Sequence, residues 1–261
     1  MTLFLHEWKR GRLALLIWSL AVSFMLFISI LIYPEMTSQM GEMGDMFSEM
    51  GSFSDAFGLD SINFAEFGGY FAIEFGNTVG LAGGLFAAIL GMAALADEER
   101  NHTAEFLLTH PVSRNKIVTQ KLLALLARIV TFDLVIAAFS ALGILVIGET
   151  PDVGKVALVF LASLLLQIEI ASISFGLSAF IRRGGVAIGL GISLGFYFLQ
   201  ILSNLAEELE FITYLTPYGF ADATVIISEG KIEGWGLLVG LFLTALGVVA
   251  AFWQYNRKDI L

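Results

Sequence analysis

Long apolar runs, broken only by short charged clusters, constrain this chain more than any other feature. A helix crossing the hydrocarbon of a bilayer needs about 20 mostly apolar residues. Six windows meet that requirement, at 13–33, 69–96, 117–147, 155–181, 184–203 and 235–253. The second, third and fourth exceed one crossing, which implies tilt or projection beyond the bilayer. The expected fold is an all-α integral membrane protein, with residues 1–261 forming a single transmembrane domain.

Composition agrees and excludes other classes. Apolar residues make up 57% of the chain and charged ones 15%, against about 25% charged in a typical soluble domain. An ordinary soluble enzyme and a disordered chain are both excluded. The absence of cysteine removes disulfides, thiol catalysis and thiolate metal sites. A net charge of −10 has the wrong sign for gripping nucleic acid. The run at 13–33 is too long for a cleaved signal peptide, and Ile32-Tyr33-Pro34-Glu35-Met36 offers no small-residue cleavage site.

Lys and Arg concentrate in cytoplasmic segments, so their positions orient the spans. Lys9, Arg10 and Arg12 precede the first window; Arg100, Arg114, Lys116 and Lys121 lie in or near the connection from the second to the third. Arg182 and Arg183 separate the fourth and fifth windows, and Arg257 and Lys258 follow the sixth. All fall on one side of an alternating arrangement, whereas the other side holds only Lys155 and Lys231 against at least fifteen carboxylates. Both termini are expected in the cytoplasm of a multi-pass cell-membrane protein.

Three segments between or beside the spans have their own character. The start of the chain mixes apolar with basic residues around Trp8, which suits a short helix on the inner membrane surface. The outer segment 34–68 has seven acidic residues and no basic one. The outer segment 204–234 begins with Glu207, Glu208 and Glu210, and its apolar stretch before Pro217 is too short to span. It reads as a pair of short interfacial or re-entrant helices.

No hydrolytic or redox centre is legible. His6, His102 and His110 lie in segments expected to be cytoplasmic and lack a metal-ligand arrangement. The run from Gly148 to Val156 superficially resembles a phosphate-binding loop. It has one intervening residue too many, and Val156 stands where a magnesium-binding hydroxyl is needed. No catalytic residue is expected.

Ionisable and polar groups inside the windows offer a possible pathway: Glu74, Asp133, Gln167 and Glu169. A charge at the bilayer centre costs about 2.5–3.5 kcal/mol on insertion scales, so such groups face protein or water. They read either as a polar path or as helix–helix contacts, with Arg128 an imperfect partner for Asp133. Ala72, Gly76, Gly80, Gly84 and Ala88 recur at every fourth position, a small-residue stripe suited to close helix packing, as are Gly185, Gly189, Gly191 and Gly195. Met36, Met40, Met43, Met46 and Met50 share one helical face. Thioethers favour Cu(I), but a pliable apolar packing face explains the row better.

The most specific segment follows the second window. Residues 97–116 combine a charged stretch, apolar knobs at Phe106 and Leu107 and a proline stop at Pro111, as in a protruding helix that docks in a partner's groove. This run resembles the hallmark of type-2 ABC exporter permeases. The matching positions are Glu99, Thr103, Glu105, Leu107, Leu108, Pro111, Ser113, Arg114, Ile117 and Lys121; His102 departs from the glycine common there. The resemblance extends to the order of an N-terminal interfacial helix, six spans, a coupling helix after the second span and short re-entrant helices before the sixth. It implies a permease subunit working as a dimer, with a second copy or a homologous chain. Two cytoplasmic ABC ATPase subunits would carry ATP and Mg, and this chain would need no cofactor. The substrate is not readable, although the lack of a basic pathway argues against strongly anionic cargo. Two rival readings are a membrane scaffold that recruits a partner through the protruding helix and a proton-coupled secondary carrier using Asp133 and Glu169. Against the carrier, no internal repeat relates residues 1–130 to 131–261.

Overall fold

A computed structural model describes residues 2–49, 66–100, 113–181, 185–205 and 207–257, with the backbone alone described at 2, 38–49, 97–100 and 207. Its elements in order are α1 (Thr2–Glu49), α2 (Phe67–Phe75), a π-helical turn (Gly76–Gly80) and α3 (Leu81–Arg100). They continue with α4 (Arg114–Ile147), α5 (Val153–Ser178), α6 (Gly185–Leu205) and a 3-10 helix (Glu207–Leu215). Two short helices, α7 (Pro217–Phe220) and α8 (Ala223–Glu229), precede the last, α9 (Gly234–Arg257). No strand occurs among the described residues. Six stretches are long and apolar enough to cross a membrane: Leu3–Thr37, Phe67–Ala96, Arg114–Ile147, Val153–Ser178, Gly185–Leu205 and Gly234–Arg257.

Helix ends follow local chemistry. Gly148 ends α4 with φ 76°, a left-handed conformation that costs glycine nothing. Asp152 then caps α5, its carboxylate accepting from the backbone N–H of Gly154 at 2.8 Å and Lys155 at 3.2 Å. The loop resembling a phosphate cradle is thus a C-cap at Gly148 and an N-cap at Asp152 joined by Glu149, Thr150 and Pro151, with Gly154 inside the first helical turn. Asp222 caps α8 in the same manner, and Glu233 accepts from the N–H groups of Trp235 and Gly236 at the start of α9.

The second and fourth spans form the centre of the bundle, with 61% and 50% of their apolar windows buried; the fifth and sixth reach only 22%. Helix α3 packs on α5 and α6, α5 on α9, and α1 on α4. Water offers no driving force between helices in lipid, so close backbone approach and dispersion hold them together. Helices α5 and α9 meet where a Cβ on Gly176 would lie 2.6 Å from the Gly247 carbonyl. Across α3 and α6, a Cβ on Gly189 would lie 3.1 Å from the Ala88 carbonyl. Phe86 and Phe132 fill the space between α3 and α4, ring centroids 4.8 Å apart.

Two local expectations are corrected. The N-terminal segment is not a separate surface helix but the first turns of α1, continuous with the first span. Nothing ends the helix there, and Glu7 and Gly11 are engaged by α4. The small-residue stripe is not one continuous α-helical face either, because Gly76–Gly80 winds as a π-helix. Gly84 and Ala88 face α6 and its neighbours, whereas a Cβ on Gly76 or Gly80 would meet nothing within 4 Å.

Helix α7 reaches deep into the bundle. The Tyr218 hydroxyl lies 3.2 Å from the Ser193 hydroxyl, midway along α6, and occupies the space a side chain on Gly84 would need. Lys155 donates to the carbonyls of Ile227 at 2.5 Å and Ser228 at 3.4 Å, tying the end of α8 to the start of α5.

Candidate coupling and pathway sites

Residues 101–112 lie outside the described residues, and with them Thr103, Glu105, Phe106, Leu107, Leu108 and Pro111. Glu99 falls in the last turn of α3, with its side chain outside the described set. Ser113 is the N-cap residue of α4 in extended conformation, without a side-chain cap bond. Arg114 donates to the carbonyls of Tyr255 and Asn256 at 3.1 Å each, and Asn256 donates to the Asn115 amide oxygen at 2.6 Å. The start of α4 is therefore bound to the end of α9. One turn further, Ile117 is fully buried.

Lys121 ties three elements together. Its ammonium donates to Glu7 of α1 at 2.9 Å and to the Ala94 carbonyl of α3 at 2.8 Å. Both side chains of the pair are buried, at 1% and 11% exposure. Arg128 donates to the Glu7 carbonyl and packs its guanidinium where Gly11 has no side chain. Glu7 was missed from sequence; the only signal was a lone acid within an apolar and basic segment. Lys121 was matched by motif, but its buried pairing was not.

The four polar residues of the spans do not meet at one place. Gln167 donates to Asp133 at 2.9 Å and to Ser163 at 3.1 Å, so these groups form a buried contact between α4 and α5 beside Gly83 of α3. Glu74 instead accepts from Ser29 at 2.5 Å, some twenty residues further along α1 than Glu7. Glu169 points away, toward Gly240 of α9. Asp133 Oδ2, Gln167 Oε1 and Glu169 Oε2 have no hydrogen-bond partner among the described residues. Arg128 does not reach Asp133, being held by α1.

Helix α1 continues to Glu49, so Met40, Met43 and Met46 are on one helix, with side chains outside the described set. Met36 packs against the core and Met50 lies outside the described residues. Among the described residues no cluster of His, Asp and Glu could hold a metal. Burial pushes the Tyr218 phenol up from its ordinary value, the Ser193 hydrogen bond opposing this and Tyr197 adding to it.

Residues 1–260 match the family model described as ABC-2 family transporter protein. The chain belongs to the ABC-2 transporter family. It is a multi-pass membrane permease of the ABC class, a transport subunit. A comparison with curated proteins finds no match. For an ABC-2 permease, the described geometry supplies helix contacts and ties at the bundle ends, and association with ABC ATPase partners follows from the family.

Proposed function

We propose that this permease is the membrane half of an ATP-driven exporter. Two copies, or one copy and a homologous chain, enclose the substrate path, and two separate ATPase subunits bind ATP and Mg and hydrolyse the nucleotide. The coupling segment is residues 97–116, its coupling helix lying between the end of α3 at Arg100 and the start of α4 at Arg114, with Phe106 and Leu107 as apolar anchors and Glu99, Thr103, Glu105, Leu108, Pro111, Ser113 and Arg114 shaping and orienting it. Both termini and this helix are cytoplasmic, while 34–68 and 204–234 are outside. The depth of Tyr218 beside Gly84 and Ser193 supports a re-entrant reading of α7 and α8.

The observation that carries the reading is the tethering on both sides of residues 101–112. Lys121 binds α4 to the Ala94 carbonyl of α3 and to Glu7 of α1, and Arg114 binds α4 to the end of α9. A push on the coupling helix would thus reach α1, α3, α4 and α9 together. Asp133, Gln167 and Glu169 then act inside the bundle, as contacts that must rearrange when it moves, and Glu74 does the same near its outer end. The test is co-purification with the cognate ATPase, followed by vanadate-sensitive ATP hydrolysis and transport in inside-out vesicles. Failure to associate, or ATP-driven movement in the opposite direction, overturns the reading.

A further inference from the structure

Helix α9 carries a stripe of apolar side chains, Trp235, Leu238, Phe242, Leu246, Val249 and Trp253, each more than half exposed. Their spacing of three and four residues puts them on one helical face, the side the last span turns to lipid. Tryptophan favours the boundary between hydrocarbon and headgroups, and the two at the ends of this stripe lie 18 residues apart. At 1.5 Å per residue that is about 27 Å, close to the thickness of the hydrocarbon. Trp253 therefore marks headgroup depth, and Arg257, one turn further, stands at the level of the phosphates. Its guanidinium lies 4.6 Å from the centroid of the Trp253 ring.

A second cation reaches the same depth from α4. Arg114 donates to the Tyr255 and Asn256 carbonyls and Asn256 donates to Asn115, so the start of α4 and the end of α9 are level. Lys116 follows Asn115 and is exposed, on a face that continues through the exposed Leu123, Val130 and Leu134. Among the described residues Lys116 has no hydrogen bond or ion pair, and Arg257 makes only its ring contact. Two such cations beside an interfacial tryptophan select an anion at headgroup depth. A guanidinium can bond two phosphate oxygens at once while its face rests on an aromatic ring. A zwitterionic headgroup would bring its own ammonium toward the same cations, whereas a phosphodiester bearing glycerol would not. A soluble phosphate would gain the charges but nothing from the apolar stripes, which suit an acyl chain.

We propose that the joined ends of α4 and α9 bind an anionic glycerophospholipid, with its phosphodiester held by Arg257 and Lys116 and an acyl chain along Trp253 and Val249. The site depends on neither the direction of transport nor an ATPase. The full-length permease in detergent is titrated with phosphatidylglycerol and, separately, with phosphatidylcholine of the same acyl chains. Bound lipid is counted by native mass spectrometry. One phosphatidylglycerol per chain should bind at concentrations where phosphatidylcholine does not. A Lys or Arg near a lipid surface contributes about fivefold, so Arg257→Gln with Lys116→Gln should weaken that binding about twentyfold. Both side chains are exposed. The double variant should therefore keep the parent's unfolding midpoint in phosphatidylcholine and lose the rise that phosphatidylglycerol gives the parent. Lys9→Gln with Arg12→Gln removes two exposed cations from α1 and should leave the bound phosphatidylglycerol in place. Glycerol phosphate and inorganic phosphate should fail to displace it. The proposal is overturned if the two lipids bind alike, or if both double variants lose equally, which would mean surface charge alone. Displacement by the free phosphates, the mark of a soluble-anion site, overturns it as well.

Discussion

Lys121 and Glu7 form a buried ion pair at 2.9 Å across 114 residues of sequence, and the same ammonium holds the Ala94 carbonyl. Removing one partner from such a pair leaves an uncompensated buried charge, which typically costs about 3–5 kcal/mol. Lys121→Met should therefore lower the thermal unfolding midpoint of the purified permease sharply. The double variant Glu7→Leu with Lys121→Met should recover much of that loss, since no lone charge remains. An unchanged midpoint in Lys121→Met would show that the pair contributes nothing.

The Asp133–Gln167 contact predicts a contrast between two substitutions at one position. Asp133→Asn keeps an acceptor for the Gln167 amide and should fold like the parent, with altered transport and normal ATPase association. Asp133→Leu strands that amide and should cost about 1–3 kcal/mol of stability. Equal midpoints for both variants in thermal unfolding would remove the contact from the account.

Glycine positions should separate by space. Gly176→Leu drives a side chain into the Gly247 backbone and should abolish folding, read as loss of the monodisperse peak in size exclusion. Gly195→Leu has nothing within 4 Å to meet and should fold normally. Equal behaviour would mean that α5 and α9 do not approach as closely as described.

At the coupling helix, Phe106→Ala combined with Leu107→Ala should leave the permease inserted but weaken ATPase association at least about tenfold, as loss of an interface anchor does. Glu105→Ala should affect binding less and transport per ATP more. Wild-type association by the double variant, measured by pull-down, would return the segment to an ordinary solvated loop.

The absence of native cysteine makes topology directly measurable. Cysteines placed at Ser54 and Glu208 should react with an impermeant maleimide added outside intact cells, and one at Ser113 should not. Labelling at Ser113 would invert the orientation and everything assigned to the inner side.

Membrane class and the six apolar spans were legible before any coordinates, because span length and apolar content are local properties set by bilayer thickness. Partner choice was not. Lys121 and Glu7 lie 114 residues apart, and Gln167 and Asp133 lie 34 apart, so only the packing of α1, α4 and α5 shows which polar groups meet. The glycine stripe misled for a related reason. A spacing of four fits both an α-helical face and a run interrupted by one π-turn, and only neighbouring helices decide which winding the backbone takes. The depth of Tyr218 is likewise a tertiary fact: its sequence marks a short apolar stretch before a proline, whereas the gap left by Gly84 draws its hydroxyl to the middle of the bundle.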